Sequence, residues 1–172
     1  MTLESIIVNI LSFIPPWLAV IIIAAMPVFE LRGSIPIAMY KYGYDPVTAF
    51  LLSIVGNMLP VIPLLLFLEP VSNYLRRWKI MDNFFTWLFN RTYHKHNAEF
   101  EKYGSIGLAI FVGVPLPATG AWTGCAAAFV FGFEFKNALI AIFAGVIIAG
   151  LAVTTFLVFG DTILHYIINL FI

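Results

Sequence analysis

The sequence predicts an all-α integral membrane protein made of two inverted repeats, each a re-entrant helical hairpin followed by a full transmembrane helix, joined by a cytoplasmic amphipathic segment. Three observations predict it. Of 172 residues, 62% are hydrophobic and only 10% are charged, against roughly 25% charged in a soluble domain. Residues 5–29, 46–68, 103–133 and 137–160 contain no Asp, Glu, Lys or Arg, and about 20 apolar residues suffice to cross a bilayer core. Finally, a shift of 89 residues lays Gly43-Tyr44-Asp45 on Gly132-Phe133-Glu134, Ala49-Phe50-Leu51 on Ala138-Leu139-Ile140, and Gly56 on Gly145. Transporters are often built from such internal repeats.

The chain opens Met1-Thr2-Leu3-Glu4 with no basic region, so the first apolar run is expected to be retained rather than cleaved as a signal. Residues 3–14 are expected to form an outer-surface or peripheral helix. In the first hairpin residues 17–26 descend and 33–42 return, with the tip at Met26 to Arg32 and breaks at Pro27, Gly33 and Pro36. Asp45-Pro46 is a strong helix-start signal for the span 46–68. Inside that span Pro60 and Pro63 withhold the amides that would bond the carbonyls of Gly56 and Leu59. The freed acceptors near Asn57 either line an ion or proton path or mark a packing kink.

Residues 69–102 hold ten of the 18 charges, with Trp78, Phe84, Phe85, Trp87, Leu88 and Phe89 interleaved. That mixture suits a helix lying in the interface. Six of the nine Lys and Arg fall there, so the positive-inside rule places this connector in the cytoplasm of a cell-membrane protein. The second repeat descends over 105–114 and returns over 119–131, with breaks at Pro115 and Pro117. Its full span is 137–160, started by Glu134, and residues 161–172 form a C-terminal peripheral helix. The whole chain is thus one membrane domain: repeat 1 over 3–68, the connector, and repeat 2 over 103–160. Lys and Arg then number seven inside and one, Lys41, outside, with Arg32 in the membrane.

Glu30 and Arg32 are the sharpest chemical signal, because they lie at membrane depth beside Pro27 and Gly33 with no other ionisable group near. Such charges are costly and usually functional, the alternative being a structural ion pair. Glu30 suits a proton carrier, and Arg32 suits an anion held through its planar fork of donors. In the second broken stretch Thr119 is expected to cap the following half-helix. The early amides of Gly120 to Trp122, with Thr123 beside them, would then face an anion. Gly120, Gly124 and Ala128 alternatively serve close helix packing. The expected substrate- or ion-binding set is Glu30, Arg32, Asn57, Thr119, Gly120, Trp122 and Thr123.

Other classes fall away. A neutral chain offers no basic stripe for nucleic acid, and the single Cys125 excludes an internal disulfide. His94 and His96 diverge on a helix, so no metal is expected, nor any cofactor. No H-E-x-x-H, G-x-S-x-G or Walker loop occurs, and an enzyme is not expected. The expected partners are membrane lipids and an amphipathic or lipid-phosphate substrate, and a homo-oligomer is compatible with the spans.

At Glu30-Leu31-Arg32-Gly33-Ser34-Ile35-Pro36, Gly56-Asn57-Met58-Leu59-Pro60 and Pro115-Leu116-Pro117-Ala118-Thr119-Gly120-Ala121-Trp122-Thr123-Gly124 the chain resembles the putative small multidrug export protein family. That family looks like a branch of the DedA or VTT superfamily, whose members are implicated in polyprenyl-phosphate recycling, lipid translocation and proton-dependent drug tolerance. The resemblance implies inverted re-entrant hairpins. Unlike the main DedA pattern, the second hairpin here lacks an arginine. Three readings stand: a proton-coupled transporter or flippase for an anionic amphiphile such as a polyprenyl phosphate, a lipophilic-cation exporter using Glu30, and a non-transporting membrane scaffold.

Overall fold

The computed structural model describes residues 13–75, 77, 79, 98–114 and 119–171, all without a β-strand. Its helices are α1 (Pro16–Ala25), α2 (Glu30–Pro36), a π-helical turn (Ile37–Lys41), α3 (Pro46–Met58), α4 (Val61–Leu75), α5 (Ala98–Gly113), α6 (Ala121–Val130) and α7 (Phe135–Phe171). Two segments, Pro46–Leu68 and Phe135–Gly160, are long and apolar enough to cross a membrane.

Each of these segments is two-faced in a way that water does not favour. Val47, Leu51, Val55, Leu59, Ile62 and Leu66 are exposed along the first, and Ile140, Phe143, Ile148, Leu151, Phe156 and Phe159 along the second. The buried faces carry many small or polar residues: Ala49, Ser53, Gly56 and Asn57 in α3, and Ala138, Ala141 and Ala149 in α7, with Ile142 and Val146 among them. Soluble monomers rarely expose contiguous apolar surface on this scale. Lipid tolerates it, and small residues let helix backbones approach.

Contacts divide the chain into two compact units, Met1–Asn57 with Ile148–Ile172, and Met58–Ile147. In the first, α1 packs on α2 around Ala19, Val20, Ile23, Leu31 and Ile35. Gly56 of α3 lies directly against α1, where a Cβ would strike the carbonyl oxygen of Ile21 and stand 2.7 Å from the Cβ of Ala24. In the second unit, α6 packs on α4 and α5. Gly145 of α7 approaches α5 in the same manner, where a Cβ would lie 2.7 Å from the Ala109 carbonyl and 2.6 Å from Val112 Cβ. Gly124 likewise leaves room for Val112 and Ile142, and the buried Cys125 thiol faces the Val61 carbonyl at 4.0 Å.

The turns before α3 and α7 also have like geometry. Gly43 and Gly132 take φ +67° and +70°, a left-handed conformation that glycine adopts without steric cost. Asp45 Oδ1 then accepts the amides of Val47 and Thr48 at 3.0 and 3.1 Å, capping α3 with Pro46 in its first turn. Bonds from Thr48, side chain and backbone, hold this carboxyl below the usual carboxylate range. Backbone bonds from Ala49 to Asp45 and from Ala138 to Glu134, both 2.9 Å, open the two helices.

Several expectations need correction. The break between α1 and α2 is only Met26–Phe29, so Glu30 and Arg32 stand on a helix, not in the tip. Pro27 lies in that break as expected. Gly33 is no break: a Cβ there would sit 2.9 Å from the Phe29 ring, so its smallness seats Phe29. Pro36 does not stop the helix either. It withholds the amide that would reach the Arg32 carbonyl, and the chain absorbs the loss by widening into the π turn, closed by Tyr42 N–H to Ile37 O at 3.2 Å.

Pro60 does break its span, at a turn over Leu59 and Pro60, whereas Pro63 falls in the first turn of α4, where no amide is needed. Residues 161–171 continue α7 and form no separate helix. Pro115, Pro117, residues 3–12 and most of the connector, with His94 and His96, lie outside the described residues.

Candidate functional site

α2 carries the two charges into the apolar interior. Glu30 is 6% exposed and adopts φ +46°, a left-handed conformation that costs an L-residue roughly 1–2 kcal/mol. Its amide donates to Met26 O at 2.9 Å, and the next turn is tied by Gly33 N–H to Phe29 O at 2.9 Å. Strain of this kind persists where surrounding structure imposes it, often at functional positions. The strained residue here is also the buried acid.

Arg32 has a different environment. It is half-buried and lines an open groove of about 380 Å³ with Gly33, Pro36, Ile37, Tyr40 and Lys41. The groove runs along one side of α2 and the π turn, joining two cationic side chains and a phenol across apolar walls. Its volume falls within the range of small-molecule sites. An anionic headgroup placed there meets the fork of Arg32 and the ammonium of Lys41, with Tyr40 as a further donor. Tyr40 and Lys41 were not anticipated from sequence as site residues. The signal is their place two turns beyond Arg32, visible once Arg32 is put on the helix and not in the tip.

Asn57 is fully buried in the same unit, one turn from the fully buried Ser53. Thr119, Gly120, Trp122 and Thr123 belong to the second unit, so each group is a local feature of its own unit. The expected cap by Thr119 is not formed. Gly120, at φ +143°, occupies the N-cap position without a side-chain cap, and its carbonyl accepts Gly124 N–H at 2.8 Å. Thr119 Oγ1 donates backwards to Val114 O at 2.7 Å, because helix α6 starts one residue later than a Thr119 cap requires. Thr123 Oγ1 donates to Gly120 O at 3.2 Å. Both hydroxyls thus secure backbone at the start of α6, and Trp122 is half-buried beside them.

Residues 30–152 match the model of a family described as putative small multi-drug export protein. The match begins at Glu30 and includes the groove, Asn57 and the Thr119–Thr123 segment. No curated protein and no solved structure matches the chain.

Proposed function

The chain belongs to the putative small multi-drug export protein family, and from that premise we propose that it is a multi-pass membrane exporter that carries an anionic amphiphile, a polyprenyl phosphate being the type. One observation carries the choice of charge: the groove beside α2 brings Arg32 and Lys41 together with Tyr40. A phosphate at this groove is bound by charge-assisted hydrogen bonds, while the exposed apolar faces of α3 and α7 suit a lipid tail. In this reading Glu30 carries the coupling proton, and the fold is a DedA-like pair of inverted repeats.

In liposomes, the purified protein is expected to accelerate transbilayer movement of a labelled polyprenyl phosphate, and soluble headgroup analogues should inhibit it. Proton-driven uptake of a lipophilic cation, with no movement of the phosphate lipid, would replace this reading by the second. That second reading, export of cationic drugs through Glu30, is favoured by the family description and by the burial of that carboxylate.

Orientation is part of the proposal. The excess of Lys and Arg in residues 69–102 supports a cytoplasmic connector. With Cys125 replaced by alanine, single cysteines at Lys41 and Lys79 are expected to label from opposite sides of intact cells. Equal labelling from outside would remove the fixed orientation and suggest dual insertion.

A further inference from the structure

The buried polar side chains among the described residues, Glu30, Ser34, Ser53 and Asn57, all lie in the first unit. Ser53 Oγ and both polar atoms of the Asn57 side chain have no hydrogen-bond partner among the described residues, although each is inaccessible to solvent. Ser53 and Asn57 stand four residues apart, so their side chains are neighbours on one face of α3. Buried polar groups are normally satisfied, and three unmet atoms within one helical turn point to a bound species.

The surrounding backbone is rich in oxygen. Pro60 has no amide to give the Gly56 carbonyl, next to Asn57. Gly56 itself packs against Ile21 and Ala24, in the second half of α1, whose final carbonyls lie beyond the helical ladder and carry the negative end of its dipole. Pro27 withholds the amide that would complete the bond to Ile23, whose carbonyl accepts Met26 N–H at 3.2 Å. Side-chain oxygens and a freed carbonyl thus lie at the end of α3, the part of that helix which approaches the last turns of α1 through Gly56, and broken helices use such ends to hold monovalent cations.

We infer that the Ser53–Asn57 face of α3, against the end of α1, binds a sodium ion. The donor set determines the class of ion. Its oxygens are neutral, whereas calcium and magnesium sites draw on carboxylates of their own. Asn57 Oδ1 and Ser53 Oγ coordinate the ion, leaving Nδ2 to donate to a carbonyl. The bound ion braces the last turn of α3 against α1. This site is chemically separate from the Arg32 groove and stands whether or not the exporter reading does.

The test is a melting titration of the purified full chain, without transported substrate, in sodium chloride balanced by choline chloride to constant ionic strength. Sodium is expected to raise the melting temperature saturably, with potassium far weaker. Asn57→Ala should lower the apparent sodium affinity by about tenfold or more, the range typical for disturbed metal sites, and Ser53→Ala by less. Asn57→Asp should raise it, because a carboxylate replaces a neutral oxygen. Equal melting in sodium and choline would overturn the inference and leave water as the satisfier of these groups. So would a native sodium response in Asn57→Ala or, should that variant not fold, an unchanged affinity in Asn57→Asp.

Discussion

Arg32→Lys is expected to abolish movement of a phosphate lipid while leaving the protein folded with a near-native melting temperature. An ammonium keeps the charge but loses the bidentate fork. A hydrogen bond to a charged group contributes about 1.5–3 kcal/mol, so losing one lowers headgroup affinity roughly ten- to a hundredfold. Arg32 is half-buried beside an open groove and lysine keeps its charge, which is why stability should be largely spared. Lys41→Ala separates steering from binding. Lys41 is exposed at the groove mouth, so its loss should slow capture in a salt-dependent manner with little effect at high salt. Glu30→Gln should end proton coupling, since an amide cannot exchange the proton, although headgroup binding persists. Full activity of Arg32→Lys and Glu30→Gln in the liposome assay would remove both residues from the site.

The second large effect is structural and comes as a pair. Gly56→Leu and Gly145→Leu are each expected to destabilise the chain severely, at or beyond the upper end of the 1–3 kcal/mol typical of overpacking. At both positions the obstacle includes a backbone carbonyl, of Ile21 and of Ala109, which cannot turn aside as a side-chain tip can. Relief requires separating helices. Gly107→Leu is the control, because nothing stands within 4 Å of its Cβ position. Since folded proteins are stable by only about 5–15 kcal/mol, the two glycine variants should lose folded yield in detergent while the control retains it. Native melting of either variant would show that this contact is not tight.

The comparison of sequence with structure is instructive at single residues. The two long apolar segments were legible because charge is absent over lengths sufficient to cross a bilayer. Gly43, Gly56, Gly132 and Gly145 were legible as a spaced pattern, and their like turn and packing geometry supplies the reason for the spacing. Arg32 stood out as an isolated charge. Its groove partners did not, because the sequence pattern puts Arg32 in a hairpin tip and Lys41 outside the membrane, whereas one helix starts at Glu30 and passes Pro36 by widening one turn. The Thr119 cap failed for a related reason. Hydroxyl residues favour N-caps in general, but here the glycine one residue later takes the cap, and the hydroxyl finds a carbonyl five residues back. The left-handed backbone of Glu30 leaves no trace in composition, since an L-acid is an improbable choice there on local grounds.

The division of the chain into units has a consequence for biosynthesis. Phe50 packs on Gly150, and the first unit includes Ile148–Ile172, so its assembly depends on sequence translated about a hundred residues after its opening hairpin. During translation α1, α2 and α3 enter the bilayer with one flank uncovered, and that flank must be kept from other nascent helices until α7 arrives. Contacts of such long sequence separation form slowly. A frameshift anywhere within Met58–Ile147 therefore removes parts of both units, and residues up to Asn57 by themselves lack a part of the first unit.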